Sequence, residues 1–187
     1  MKNLWEMWEG VLDSATCDNI INRSLLKPEN NATIGFNLDN HEDLDHRRSI
    51  IRWLDTKNTD ADIAHVLMNF IKTSNRNNFG FDISEMNEIQ FTEYHGDRSD
   101  KYDWHHDVYF ENPSPYDRKL SIIVQLSHPM DYAGGDLEFF NMVSPPETFK
   151  KRGSVLVFPS FFPHRIKPVT DGLRYSLVSW IEGPKFR

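Results

Sequence analysis

The chain has 187 residues, of which 39% are apolar and 13% aromatic, and a formal net charge of −7. This length and aromatic content predict a folded core rather than disorder, and the acidic balance without a Lys/Arg run argues against a nucleic-acid backbone as partner. No stretch approaches the ~18 apolar residues that cross a bilayer, and the acidic, aromatic N-terminus predicts no signal peptide. We therefore expect a soluble, cytoplasmic protein without a membrane partner, and the oligomeric state stays open.

Two helices are predicted in the first half of the chain. Ser14 is the expected N-cap of the first helix, which ends before Pro28, and Asp60 is the expected N-cap of the second. Their apolar positions are Cys17, Ile20, Ile21 and Leu25 in the first helix and Ile63, Val66, Leu67, Phe70 and Ile71 in the second. Between the helices, the polar residues 37–48 predict a mobile loop, and residues 49–54 have the pattern of a strand.

Short strands separated by turns are predicted for the second half. They cover residues 89–94, 104–110, 120–126, 136–140, 154–158, 164–167 and 174–181. Two helices followed by many short strands predict a mainly β protein, a jelly roll whose N-terminal helices pack against one sheet. We expect a single domain over residues 1–187, with a helical support over about residues 1–85 and a β-core over about residues 86–187.

The segment Trp104-His105-His106-Asp107 has the pattern of a metal site. Side chains two apart on a strand share a face, so His105 and Asp107 are expected side by side, with His106 turned away. His164 can supply a third ligand from a distant strand. Two histidines and one carboxylate on one side of a metal, with open positions opposite, are typical of non-haem Fe(II) oxygenases. The sequence therefore predicts a metal site of His105, Asp107 and His164.

Arg174 is the candidate anion-binding residue. It follows His164 by ten residues, and a tight turn is predicted at residues 168–172 because Asp171-Gly172 is a turn signal. A planar guanidinium matches a carboxylate in geometry and charge. We therefore expect Arg174 to bind a carboxylate of an organic co-substrate.

Further motifs follow one another over about residues 89–183. They are Tyr94, Trp104-His105-His106-Asp107, Gly134-Gly135-Asp136-Leu137-Glu138-Phe139, Gly153-Ser154-Val155-Leu156-Val157-Phe158, Pro163-His164 and Arg174-Tyr175-Ser176. In this order and approximate spacing, they resemble the 2-oxoglutarate- and Fe(II)-dependent dioxygenases, and most of all the prolyl 4-hydroxylase-like branch. The resemblance implies a double-stranded β-helix, a form of jelly roll. It also implies Fe(II), 2-oxoglutarate and O2 as cofactor and co-substrates, with ascorbate (vitamin C) as an optional reductant.

The resemblance also implies a role for individual residues. His105, Asp107 and His164 would bind Fe(II), and Arg174 would pair with the distal carboxylate of 2-oxoglutarate. The other candidates are Tyr94, Tyr102 and Ser176 for the co-substrate, and Trp104, Tyr109 and Trp180 for the substrate. Residues 37–48 lie where prolyl hydroxylases carry a substrate-covering loop, so this segment is a candidate flap.

Three functions remain open from the sequence. The first is an oxygenase that hydroxylates a peptidyl residue, of prolyl type. The second is a hydroxylase of a free amino acid or another small molecule. The third is an inactive metal-binding module of cupin type, but cupins typically use H-x-H with a later glutamate, and Asp107 favours the oxygenase. A nucleic-acid demethylase is disfavoured because that branch uses a second arginine shortly after the first, whereas no arginine follows Arg174 until Arg187.

Overall fold

The computed structural model describes residues 2–34, 41–111 and 113–186. Within these ranges the chain forms two α-helices and twelve β-strands. Their bounds are β1 Glu6–Trp8, α1 Ser14–Leu25, β2 Asn30–Asn31, β3 Arg47–Arg48, β4 Ile50–Leu54, α2 Ala61–Ser74, β5 Met86–His95, β6 Lys101–His105, β7 Tyr116–Gln125, β8 Tyr132–Gly134, β9 Leu137–Phe139, β10 Val155–Pro159, β11 His164–Ile166 and β12 Val169–Pro184. Neither helix of this described part is long and apolar enough to cross a membrane.

The strands form two antiparallel sheets. The larger has eight strands in the order β1-β10-β7-β12-β5-β4-β2, with β8 paired to β12. The smaller has four strands in the order β3-β6-β11-β9. This arrangement confirms the predicted jelly roll, in which two sheets enclose a core and present their open end to a ligand.

Two hydrophobic clusters hold the layers together. Helix α2 packs on β5, β7 and β10 of the larger sheet, where Ile63, Leu67 and Ile71 join a buried cluster with strand residues such as Ile122 and Leu177. The second cluster lies between the two sheets; its members include Ile123, Leu137, Phe139, Phe158 and Ile166. Strand β7 serves both clusters because its alternate side chains, Ile122 and Ile123, point to opposite faces. The helices therefore support the sheet from outside and leave its inner face for the site.

The N-cap position predicted for the first helix is wrong by one residue, whereas Asp60 is the N-cap residue of the second helix as predicted. The first helix is capped by Asp13, whose carboxylate accepts a hydrogen bond from the Thr16 amide at 2.7 Å, and not by Ser14. Asp60 does precede α2 but makes no side-chain cap bond. Its carboxylate instead accepts from the Asp55 amide and pairs with Arg23 and Lys27.

Three strand and loop predictions also change. The strand predicted at residues 104–110 ends at His105, so Asp107 lies beyond it, anchored by its amide to the Ser160 carbonyl. Residues 168–172 form no hairpin turn, because Val169 and Gly172 already pair with β8 around a bulge in β12. Of the predicted mobile loop, residues 37–40 lie outside the described ranges. Its end is not a loop, since Arg47 and Arg48 form β3.

Candidate metal centre and co-substrate pocket

His105, Asp107 and His164 converge on one point between the sheets. His105 ends β6, His164 begins β11, and the two are direct cross-strand partners. The potential ligand atoms of the three residues all lie within 4.8 Å of one another. His105 Nε2 is 3.7 Å from Asp107 Oδ1, and His164 Nε2 is 3.7 Å from Asp107 Oδ2. Three ligand atoms at this spacing can surround one divalent cation.

Both imidazoles are oriented by the backbone. His105 Nδ1 lies 2.7 Å from the Asp103 carbonyl oxygen, and His164 Nδ1 lies 2.8 Å from the Phe162 carbonyl oxygen. A carbonyl can only accept, so each Nδ1 carries the proton and donates it. Each Nε2 is then left with a free lone pair for a metal, the tautomer that metal-binding histidines use. The donor set therefore fits Fe(II).

The pKa values of the site favour the metal-binding protonation states. Burial, followed by the neighbouring His164, holds the pKa of His105 well below its ordinary value. For Asp107, burial opposes ionisation, but the two imidazoles, the Ser121 hydroxyl and Arg118 outweigh it and lower the pKa. A neutral imidazole therefore stands beside an ionised carboxylate at neutral pH, as a cation requires.

A β-bulge brings Tyr102 to the same face as His105. Between the pairs His164↔His105 and Ile166↔Tyr102, β6 contains one residue more than β11. Such an extra residue reverses the alternation of side chains. Tyr102 therefore stacks on His105, with ring centroids 3.4 Å apart and planes at 10°. Burial raises the pKa of Tyr102 to about 12, so its phenol stays neutral.

Trp104 points away from the site because it directly precedes His105 on β6 and successive side chains of a strand face opposite sides. Its ring packs against Phe140 and lies under the Arg165 guanidinium, 4.5 Å from the ring centroid. Arg165 also pairs with Glu138, and Phe140 is half exposed. The structure therefore does not bring Trp104, a predicted substrate residue, to the metal centre. Tyr109, another predicted substrate residue, lies two residues beyond Asp107 and is 39% exposed.

Arg174 lies on β12 and is 2% exposed. Its Nη1 donates to the Ser176 hydroxyl at 3.4 Å, and its Cζ is 5.4 Å from the centroid of the Tyr94 ring. Its Nε has no hydrogen-bond acceptor among the described residues. A buried guanidinium with an unused donor is costly unless an anion completes it. The three residues predicted for the co-substrate carboxylate, Arg174, Tyr94 and Ser176, thus lie together.

The shape of the chain around Arg174 depends on Gly135. Gly135 has a left-handed φ of +65°, and a Cβ there would lie 2.8 Å from Arg174 Cδ. Arg174 also lines a cleft of about 180 Å³ that is shared with Gln125, Tyr132 and Gly135. Gly135 therefore leaves the space through which the aliphatic part of Arg174 passes.

Trp180 marks the opposite end of the same strand. It is buried under the Arg118 guanidinium, whose Cζ is 3.8 Å from the ring centroid. Arg118 also pairs with Glu88 at 2.8 Å. Trp180 Nε1 has no acceptor within the part of the chain that the structure describes. Trp180 and Arg118 thus form a polar and aromatic wall in which the Trp180 N–H is itself buried.

Sequence reasoning missed four residues of this region: Arg47, Arg118, Ser121 and Ser160. Arg47 is the most informative, because it was assigned to a mobile loop. It is 8% exposed, and its Cζ lies 4.2 Å from the centroid of the Tyr102 ring, directly opposite in the β3–β6 pair. The Arg47 guanidinium, the Tyr102 phenol and the His105 imidazole therefore form one stack. The only sequence signal was the position of Arg47 just before a predicted strand.

Solved structures with this fold include prolyl hydroxylases. The chain aligns over 96% of its length with a Trichoplax adhaerens prolyl hydroxylase in complex with a hypoxia-inducible-factor peptide fragment, over 83% of that chain, with a TM-score of 0.74 and 19% identity. It aligns over 98% of its length with a Pseudomonas putida prolyl-4-hydroxylase, over 94% of that chain, with a TM-score of 0.71 and 20% identity. At this identity, the likeness shows the fold.

Sequence comparison gives closer but shorter matches. A PKHD-type hydroxylase of Synechococcus is 35% identical over 83 residues, which cover 44% of this chain and 36% of that protein. A PKHD-type hydroxylase of Rippkaea orientalis is 41% identical over 64 residues, covering 34% of this chain and 28% of that protein. The matches thus span only about a third of these relatives.

The family model of the 2OG-Fe(II) oxygenase superfamily matches residues 89–182. The match takes in half of the 187 residues, from β5 through β12. Of the side chains described above, Arg47 lies outside this range and Glu88 lies one residue before it, and the others lie within it. The chain belongs to the 2OG-Fe(II) oxygenase superfamily.

Proposed function

We propose that the chain is an Fe(II)- and 2-oxoglutarate-dependent dioxygenase that hydroxylates a prolyl-type residue in a peptide. The observation that carries the proposal is the cluster of His105, Asp107 and His164, with both Nδ1 atoms committed to backbone carbonyls. Among the residues that the structure describes, these three form the one group that could hold iron, and two histidines with one carboxylate are the ligand set that non-haem oxygenases use.

The metal, when bound, supplies the oxidative chemistry that couples decarboxylation of 2-oxoglutarate to insertion of oxygen into a C–H bond. The protein supplies orientation and the exclusion of water. His105 and His164 would present their Nε2 lone pairs to the metal because each Nδ1 donates to a backbone carbonyl, and Asp107 would supply one negative charge that offsets part of the metal charge.

Arg174 and its neighbours provide the second half of the site. The buried guanidinium would pair with the distal carboxylate of 2-oxoglutarate, and Tyr94 and Ser176 would add hydroxyl contacts. Burial raises the pKa of Tyr94, so its hydroxyl keeps its proton for donation. A dianionic co-substrate binds against a net charge of −7 because Arg174 and the metal make the pocket locally positive.

The prolyl substrate class is supported by the names of the similar proteins and by the wall of Arg118 and Trp180. Hydroxylases of PKHD type and prolyl hydroxylases recur among the matches. An aromatic ring beside a fixed guanidinium can contact the apolar ring of proline, and the partly exposed Arg118 can donate to a peptide carbonyl.

A coupled assay tests the proposal. The purified chain is incubated with Fe(II), 2-oxoglutarate, ascorbate and dioxygen, with either prolyl peptides or free amino acids, and succinate and hydroxylated product are both measured. We expect succinate and hydroxyprolyl peptide in equal amounts, and neither with Asp107→Ala. Product formed from free amino acids alone would identify a small-molecule hydroxylase. Metal binding without succinate release from any substrate would favour an inactive module of cupin type.

A further inference from the structure

Two buried serine hydroxyls lie behind Asp107 on the side away from the open pocket. Ser121 on β7 and Ser160 just after β10 are both 0% exposed. Ser121 Oγ donates to Asp107 Oδ2 at 2.5 Å, and the two serine oxygens are 2.9 Å apart. Since Ser121 gives its proton to the carboxylate, Ser160 donates to Ser121. The hydroxyls form a chain that ends on one oxygen of Asp107.

The backbone fixes both members of this chain. The Ser160 carbonyl accepts from the Asp107 amide at 2.8 Å, and the Ser160 amide donates to the Lys119 carbonyl at 3.0 Å. Ser121 is paired with Phe158 in the β7–β10 ladder. The backbone that carries the Ser121 hydroxyl is therefore fixed by the pairing of β7 with β10.

The two oxygens of Asp107 consequently differ. Oδ2 accepts a short, charge-assisted hydrogen bond, the strong kind that a carboxylate makes. Each oxygen lies 3.7 Å from one imidazole, Oδ1 from His105 Nε2 and Oδ2 from His164 Nε2, so the serine hydrogen bond is what distinguishes them. Carboxylates bind metals through one oxygen or through both, and a hydrogen bond to one oxygen disfavours the second mode.

We infer that Ser121, backed by Ser160, is a positioning residue that restricts Asp107 to one-oxygen coordination and so keeps a metal position open for 2-oxoglutarate. The inference rests on the proposed function. A second oxygen on the metal would fill a position that the co-substrate or dioxygen needs. Loss of the serine pair should therefore weaken 2-oxoglutarate binding more than it weakens metal binding.

The test compares metal binding with co-substrate binding in the full-length chain. Mn(II), which does not react with dioxygen in this setting, is titrated into the metal-free protein by calorimetry, and 2-oxoglutarate is then titrated into the Mn(II)-loaded protein. For Ser121→Ala we expect the Kd of 2-oxoglutarate to rise about tenfold or more, while the Kd of Mn(II) changes by less than about threefold. Ser160→Ala should shift the same ratio in the same direction, by a smaller factor.

Conservative and control variants separate positioning from packing. Ser121→Thr keeps the hydroxyl and should restore wild-type 2-oxoglutarate affinity. Ser154→Ala removes another serine that is 0% exposed, one whose oxygen accepts from the Gly10 amide, and it should leave both Kd values unchanged. The electron paramagnetic resonance spectrum of bound Mn(II) reports the ligand set directly. It should change in Ser121→Ala and stay as in wild type in Ser154→Ala.

Two results would overturn the inference. One is an Mn(II) affinity in Ser121→Ala that falls as far as the 2-oxoglutarate affinity, which would make Ser121 a general support of the ligand. The other is a 2-oxoglutarate affinity within about threefold of wild type. Failure of the wild-type chain to bind Mn(II) and 2-oxoglutarate at all would instead remove the proposed function.

Discussion

Tyr102 lies flat on His105, with ring centroids 3.4 Å apart, and is itself covered on its other face by Arg47. The stack fixes the plane of His105, and the bond from Nδ1 to the Asp103 carbonyl fixes its rotation in that plane. The Nε2 atom of His105, the proposed metal ligand, is thereby oriented by neighbouring groups that are not proposed ligands, the support that metal ligands commonly have.

Removing the ring above His105 should weaken metal binding. We expect Tyr102→Ala to lower Mn(II) affinity by about 10- to 100-fold, since His105 loses the surface that holds it. Tyr102→Phe keeps the ring and should bind Mn(II) as wild type does. Calorimetric titration of both variants checks this. Equal affinities for Tyr102→Ala and wild type would show that the stack has no positioning role.

Arg174 should govern the co-substrate and not the metal. Arg174→Ala removes a charge-assisted pair in a buried pocket, which costs roughly 2–5 kcal/mol in 2-oxoglutarate binding. Arg174→Lys should be milder but not neutral, because lysine lacks the planar fork. Titration of 2-oxoglutarate into Mn(II)-loaded variants gives the affinities. A loss of Mn(II) binding in Arg174→Ala, or an unchanged affinity for 2-oxoglutarate, would contradict this assignment.

Gly135 offers an independent test of the same pocket. Gly135→Ala places a Cβ 2.8 Å from Arg174 Cδ, whereas at Gly80, with a similar φ of +71°, a Cβ meets nothing within 4 Å among the described residues. Both variants should lose about 1 kcal/mol of unfolding free energy from the left-handed backbone. Only Gly135→Ala should also weaken 2-oxoglutarate binding. Matching 2-oxoglutarate affinities in the two variants would argue against a role for Gly135 in placing Arg174.

The junction between the two helices should depend on Asp60. The Asp60 side chain is 1% exposed and pairs with Arg23 of α1 and with Lys27, two residues after α1. Asp62 also pairs with Arg23, but its side chain is 69% exposed. Asp60→Asn leaves two cations without their buried partner, so we expect a loss of about 3 kcal/mol. Asp62→Asn should cost less than about 1 kcal/mol. Urea unfolding measures both, and similar losses would mean that burial of Asp60 adds nothing.

Much of the fold follows from local patterns, since alternation marked the central strands and apolar periodicity marked both helices. The sequence predicted the cluster of His105, Asp107 and His164 because two histidines and a carboxylate are residue types that bind iron. Tyr102 was harder to place, because one extra residue in β6 turns it to the same face as His105 and no periodicity reveals a bulge. Arg47 and Ser121 reach the site because strand pairing brings distant segments of the chain together, and a single sequence does not display that pairing.

Stability of the metal-free protein should fall in acid partly because of His105. Its pKa in the folded state is lowered by burial and by His164, so below about pH 6.5 the unfolded chain binds a proton that the folded state excludes. The contribution is therefore fully present above that pH and is lost as pH falls towards the lowered pKa, with a slope of up to about 1.4 kcal/mol per pH unit. His105→Gln should flatten the slope in urea unfolding with a chelator present. The same steep slope in His105→Gln would contradict this sign.

The most direct test of the proposed dioxygenase activity traces the two atoms of dioxygen into the two products. The chain, loaded with Fe(II) and 2-oxoglutarate, is supplied with isotopically labelled dioxygen and a prolyl peptide, and the peptide and succinate are analysed by mass spectrometry. Our account predicts one labelled oxygen in the prolyl residue and one in succinate for each turnover, and neither in Asp107→Ala. Hydroxylation with unlabelled oxygen, or labelled peptide formed without 2-oxoglutarate, would contradict it.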